Sequence, residues 1–223
     1  MRLNHFLFES AMDFDDRRVQ QLVFENPGDL GRMVAELKSQ IYGLEGSFVL
    51  FERSVDMGIK GVSLIVDPFS LEAGRREIVA GFTKALMSEL VSPENHVKTD
   101  RLMSDLQSHI LEIATDIEPS VDFQGLDLKG LVKAVGLGFQ AGGDLVEDLC
   151  EYVRLAGRFA GTRLFVLVNM GAFLSDGRYL EMVRQLEYLQ NPVLLVEGRV
   201  ISVGCPVKVF DADFCEINLN SPS

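Results

Sequence analysis

The sequence predicts an α/β fold carrying an extended α-helical arm, and three stretches predict it. Leu164-Phe165-Val166-Leu167-Val168 places five apolar residues in a row without alternation. That is the pattern of a strand buried on both faces of a parallel sheet. Val19–Glu25 followed by Asn26-Pro27-Gly28-Asp29 reads as strand, turn and helix start. Two long helical periodicities then follow one another, 71–91 and 97–117, with only a short break at Ser92-Pro93-Glu94. A pair of helices in succession between strands of one sheet is the signature of an arm leaving an α/β body.

Taken in chain order, Met1–Phe8 reads as a short edge strand and turn, with Leu3, Phe6 and Phe8 alternating, and 12–18 as a polar connection. The strand at 19–25 leads into a helix that runs to about Tyr42, with Leu30, Val34, Leu37 and Ile41 on one face and Gly43 closing it. This is the place where a phosphate-binding loop would sit, but the glycine signature and its lysine–hydroxyl pair are missing, and Asp29 would repel a phosphate. Strands follow at 47–53 and 61–66, the second ending in Asp67-Pro68-Phe69. Asp67 reads either as a metal-binding aspartate at a strand exit or, more simply, as a turn former before proline.

The helix at 71–91 buries Ile78, Phe82, Leu86 and Leu90 and solvates Arg75, Arg76 and Lys84. The next carries Leu102, Leu106, Ile110 and Ile113. A short helix spans 125–135 and a longer one 144–159. The Leu164 strand comes next, then a helix from Asp176 capped by Ser175, a strand at 193–197, and short β segments at 199–209 and 214–218. The domains expected are residues 1–70 with 160–223 as the α/β head and 71–159 as the helical extension.

Composition narrows the function. Apolar residues make up 47% and charged residues 24%, as in a globular chain. No apolar run approaches the roughly 20 residues of a membrane helix, and the acidic N-terminus does not read as a signal peptide. Cys150, Cys205 and Cys215 lack metal spacing and are expected to be reduced thiols of a cytoplasmic protein. A net charge of −12 opposes nucleic-acid binding unless basic groups are gathered locally.

Two constellations carry candidate chemistry. From Leu102 to Leu128 there is no lysine or arginine, while Asp116, Glu118, Asp122 and Asp127 lie on or around a bend marked by Pro119, Ser120 and Gly125. Such carboxylates are either a solvated acidic loop or ligands converging on a hard cation such as Ca²⁺, completed by carbonyls and water. Lys129 and Lys133, four apart, follow at once, and Arg154 and Arg158 repeat the spacing on the next helix. Like charges at this spacing disfavour the helix slightly. They read either as a solvated face or as two stripes that grip DNA phosphates. Enzymatic motifs are poor: His5, His96 and His109 are scattered, Asp211 and Asp213 are too common a pair to mark a nuclease, and Asn169–Ser175, at a strand exit, holds no nucleophile–base pair.

Four stretches together resemble a known family. They are Phe24-Glu25-Asn26-Pro27, Leu64-Ile65-Val66-Asp67-Pro68-Phe69, Leu131-Val132-Lys133-Ala134-Val135-Gly136, and Val166-Leu167-Val168-Asn169-Met170-Gly171-Ala172-Phe173-Leu174, with Val193–Glu197 following at the expected distance. In order and length the chain is similar to the short form of the CRISPR-associated adaptation protein of type II-A systems, a calcium-dependent, ring-forming, DNA-end-binding family. The resemblance implies a P-loop-NTPase-like sheet core without nucleotide motifs and a helical extension. It implies a non-catalytic homotetramer with double-stranded DNA in a positive central hole, calcium ions in the helical parts, and work beside the CRISPR integrase complex and the RNA-guided nuclease of the same locus. By position, Asp116–Asp127 matches the family's calcium region and Lys133 a basic position after it. A degenerate NTPase or phosphoesterase using Asp67 and Asp211, or an adaptor binding only proteins, are the alternatives.

Overall fold

The structure, a computed structural model, describes residues 1–53, 55–139 and 142–219, with 72–75 described by backbone alone, so that Arg75's side chain lies outside it. The chain forms ten strands and six α-helices among these residues. They are β1 (Arg2–Asn4), β2 (Met12–Asp13), β3 (Val19–Phe24), α1 (Pro27–Ile41), β4 (Val49–Glu52), β5 (Val55–Asp56), β6 (Val62–Ile65), α2 (Glu72–Leu90), α3 (His96–Ile117), α4 (Leu128–Ala134), α5 (Leu145–Leu155), β7 (Leu164–Val168), α6 (Asp176–Leu189), β8 (Val193–Glu197), β9 (Val207–Phe210) and β10 (Glu216–Leu219).

Two units divide the chain, Met1–Arg75 with Ala141–Ser223, and Arg76–Gln140. The first is built on a six-stranded sheet of order β10-β9-β3-β8-β7-β6. All of its pairings are parallel except β9–β10. The unbroken apolar runs find their reason here: every residue of β3, β7 and β8 is buried, because helices or a second sheet cover both faces. Leu164, Val166 and Val168 join Leu22, Phe24, Leu194 and Val196 in one core cluster with Met33 and Leu37 of α1. The alternate residue Phe165 meets Tyr152 of α5 edge-on, 6.3 Å between ring centres. Each buried side chain of this kind contributes about 1.5–3 kcal/mol.

The second sheet was not expected. β1, β2, β4 and β5 form a separate four-stranded antiparallel sheet of order β2-β1-β4-β5. Its Leu3, Met12 and Leu50 enter the same core cluster. The expected strand at 199–209 is also shorter, since only Val207–Phe210 pairs with β3. Local signals at α1 act as the sequence implies: Asn26 accepts from Gly28 N at 2.8 Å, Pro27 takes the first helical position, and Gly43 leaves at φ +91°.

The second unit is helical. Within it α2 turns through 91–95 into α3, where Thr99 Oγ1 donates to Leu90 O at 2.9 Å. Phe82 packs edge-on against Phe139. The expected extension of 71–159 is corrected at its C-terminal boundary. Residues 142–159 belong with the sheet, because α5 buries Val146, Leu149 and Val153, and Arg178 of α6 ion-pairs with Asp144, the N-cap of α5. That ion pair also holds the Asp144 carboxyl below its ordinary range.

Candidate functional site

The acidic stretch lies where the sequence puts it. Asp116 stands in the last turn of α3, Glu118 caps its C-terminus, Asp122 lies in the connection, and Asp127 is the N-cap of α4. All four are exposed. Glu118 Oε1 accepts from Ser120 Oγ at 2.6 Å and Ser120 N at 3.2 Å, and these bonds hold its carboxyl below the ordinary range. Asp127 accepts from Lys129 N at 3.2 Å and Gly130 N at 2.7 Å. The four are not brought together. Among the described residues no group of three or more His, Cys, Asp or Glu side chains is placed to hold a metal ion. The donor chemistry suits Ca²⁺, which prefers six to eight oxygens, but the arrangement within one chain does not fit it.

Asp127 therefore has an assigned structural task, and it gives a prediction. Asp127→Ala should cost the short α4 about 1 kcal/mol. Hydrogen exchange at the Leu131 and Val135 amides should quicken about fivefold, and an unchanged rate would show that the cap does not hold the helix.

The basic residues divide by unit. Lys129 and Lys133 are exposed on one face of α4, and neither has an ion pair among the described residues. Arg154 and Arg158 belong to the sheet unit. Arg154 is held bidentately by Glu151, Nε to Oε2 at 2.8 Å and Nη2 to Oε1 at 2.6 Å, which raises the guanidinium and lowers the carboxyl. Past Leu155 the backbone widens into a π turn over Ala156–Ala160. Arg158 thus does not continue Arg154 at α-helical spacing, and its guanidinium lies 5.0 Å from the centre of the Phe159 ring. The second stripe is not a pair of free cations.

The aspartates considered for catalysis are turn residues. Asp67 accepts from Phe69 N at 3.0 Å and Ser70 Oγ at 2.5 Å, at the rim of a cavity of about 450 Å³ whose lining includes Lys38, Tyr42, Ser63 and Tyr152. Asp211 Oδ1 accepts from Asp213 N at 3.0 Å and Cys215 N at 2.8 Å, closing the β9–β10 turn.

At the carboxyl ends of the central strands the structure holds a polar cluster that sequence reasoning missed. Glu197 is 1% exposed. Its Oε1 and Oε2 accept from Gly171 N at 3.2 and 3.3 Å, and Oε1 accepts from Tyr179 Oη at 3.1 Å. Asn169 leaves β7 at φ +58°, and a Cβ on Gly171 would stand 2.5 Å from Ile201 Cδ1. The only signal was Asn169–Gly171 at the strand exit, and its partner lies 26 residues on.

An open parallel sheet interrupted in sequence by a separate helical unit, with free lysines directly after an acidic connection, defines a two-unit α/β protein whose candidate site lies on its helices. Residues 40–214 match the family model described as CRISPR-associated protein (Cas_Csn2). The chain belongs to that CRISPR-associated family. Three of the four stretches that carried the resemblance fall inside the match, and the Phe24–Pro27 stretch precedes it. The CRISPR-associated protein Csn2 of Streptococcus agalactiae is 22% identical over 129 residues, which is 57% of this chain and 58% of that protein. The crystal structure of Stu0660 of Streptococcus thermophilus superposes with a TM-score of 0.57 at 12% identity, over 99% of this chain and 77% of that one. This is a likeness of fold. No described helix is long and apolar enough to cross a membrane.

Proposed function

We propose that this protein binds linear double-stranded DNA without sequence preference, as a homotetrameric ring, and does no chemistry on it. It would act in the cytoplasm during spacer acquisition in CRISPR adaptive immunity, beside the integrase complex and the RNA-guided nuclease of its locus. The observation that carries the reading is the exposed face of α4, where Lys129 and Lys133 have no ion pair among the described residues. Phosphates are bound by just such solvated cations, and a ring sums them from several copies despite the net charge. The first unit is read as a P-loop-ATPase-related sheet without its nucleotide loop, since Asn26, Pro27 and Asp29 occupy the strand-to-helix turn. Calcium belongs to the reading as a cofactor implied by the family. Among the described residues of one chain no set of carboxylates converges to hold the ion.

Binding to linear and covalently closed circular duplexes, in calcium and then in chelator, tests this. Linear DNA should be retained better than circles, and better with calcium. Lys129→Ala with Lys133→Ala should weaken binding about tenfold for every sequence and flatten the salt dependence. Arg154→Ala should do less, because Glu151 already holds that guanidinium. No retained DNA at low salt would end the reading. So would steady phosphate release from a nucleotide that Asp67→Ala abolishes, since that marks an enzyme.

A further inference from the structure

The six-stranded sheet ends on one side at β6, and among the described residues no strand pairs with its outer edge. The register shows which backbone groups face out. Gly61 O accepts from Arg163 N at 2.8 Å and from Leu164 N at 3.3 Å, with Val62 opposite Leu164. A parallel ladder started there turns the N–H and C=O of Ser63 and Ile65 toward β7. It leaves those of Leu64, with the Val66 N–H, on the open side. Natural sheets blunt such an edge with charged residues or proline. β6 reads Val62-Ser63-Leu64-Ile65 and carries neither.

Along that edge lies the groove of about 450 Å³, formed wholly within the first unit. Ile41 and Leu71 give it apolar walls, and Ser63 Oγ and Tyr152 Oη, 3.2 Å apart, present hydroxyls. At the strand exit Val66 is exposed, and Phe69, 68% exposed, meets the exposed Phe173 ring edge-on at 5.5 Å. Uncovered apolar side chains gathered in this way mark an interaction surface. Lys38 of α1 lines the groove and has no ion pair among the described residues. The carboxylate of the groove, Asp67, is already held by Phe69 N and Ser70 Oγ. The charge left to be answered is therefore positive.

One kind of molecule matches an open row of amides and carbonyls beside apolar walls. A compact ligand would leave the Leu64 and Val66 groups unmet, and duplex DNA has no donors and acceptors alternating at strand spacing. An extended peptide has both, and it sets every second side chain toward the groove. We propose that the open edge of β6 docks an extended segment of another protein as an added strand, its alternate residues apolar and one acidic residue set against Lys38. This site is independent of the DNA-binding reading, which rests on α4 in the second unit.

Random peptides of about twelve residues, displayed on phage and selected on the full chain, are the probe. Enriched sequences should alternate aliphatic or aromatic residues and carry a glutamate or aspartate. With one such peptide synthesised, hydrogen exchange at the Leu64 and Val66 amides should slow at least about tenfold on binding. Leu64→Pro removes one outward N–H and leaves the ladder to β7, so affinity should fall at least about tenfold. Lys38→Glu should lower it about fivefold, and a peptide with lysine in place of its acid should then bind this variant better than it binds the wild type. Should Leu64→Pro fail to fold, the exchange pattern and the charge swap decide. Enriched peptides without alternation overturn the proposal, as does peptide binding that leaves exchange at Leu64 and Val66 unchanged. So does displacement of the peptide by duplex DNA, which marks a nucleic-acid site. A smaller sedimenting mass for Leu64→Pro overturns it too, because the edge is then already paired with another copy.

Discussion

Glu216→Ala should destabilise the protein by about 3–5 kcal/mol in urea unfolding, the range for removing one partner of a buried ion pair. The Lys208 side chain is 5% exposed and that of Glu216 1%, and the two are in direct contact between β9 and β10. The carboxylate is also the acceptor for Glu9 N at 2.8 Å, Ser10 Oγ at 3.2 Å and Asn218 Nδ2 at 3.0 Å. Truncation would leave an ammonium buried beside the Phe8 ring, 5.6 Å from its centre, with Ser10 Oγ at 3.1 Å as its remaining hydrogen-bond acceptor among the described residues and the Glu9 charge farther off. For a chain of this length that corresponds to a fall in melting temperature of roughly 10 °C. Replacing both partners, Lys208→Met with Glu216→Leu, should recover most of the loss, since no charge then remains in the apolar site. The double-mutant cycle therefore separates a pair that stabilises from one that is only costly to break. A loss below 1 kcal/mol for Glu216→Ala would mean that water reaches Lys208 in the native state.

That pair also shows what a sequence conceals. β7 and β8 are legible because continuous burial leaves a run of Val, Leu and Phe that nothing else explains, and α1 because Asn26, Pro27 and Gly43 act within a few residues of themselves. Lys208 and Glu216 are eight apart and look like ordinary strand polar residues; their burial follows from the Glu9–Ser10 loop folding over them from the other end of the chain. The small sheet fails for the same reason. Its strands are two to four residues long, and β1 finds β4 across more than forty residues. At the candidate site, the sequence shows which residues are acidic and which basic, but convergence is a property of space. Asp127 and Glu118 are drawn to neighbouring donors by local turns, and a π turn at Ala156 moves Arg158 off the spacing that linked it to Arg154. The apolar positions of α3 were legible as a helix face, and only the structure shows that face uncovered.

Glu197 should make the protein less stable as pH rises, and Glu197→Gln should remove that slope. Burial pushes its carboxyl above the ordinary glutamate range, against the opposing hydrogen bonds from Gly171 and Tyr179 and the more distant charge of Arg199. Arg199 is itself engaged with Asp176 at 3.1 Å. Gln21, a buried polar residue of β3, is satisfied by Ile201, donating to its carbonyl at 3.0 Å and accepting from its N–H at 3.2 Å. An acid raised in the fold holds its proton there after the unfolded chain has released its own. The stabilisation from this group is complete below the unfolded glutamate value and is lost as pH climbs through the raised folded one. In that window the wild type should lose melting temperature while Glu197→Gln, which keeps an acceptor for Gly171 N and carries no charge, should not. The variant should melt a few degrees higher than the wild type above the window. Glu197→Ala tests the other half of the argument. It takes the acceptor from the half-buried Gly171 N–H and from the Tyr179 hydroxyl, which keeps its hydrogen bond with Gln21; at about 1–3 kcal/mol for an unmet group, a loss of roughly 2–4 kcal/mol should appear at every pH. If glutamine proved as damaging as alanine, the carboxylate would be required in its charged form, and the exit turn of β7 would be held by an anion rather than by a neutral hydrogen-bonding group.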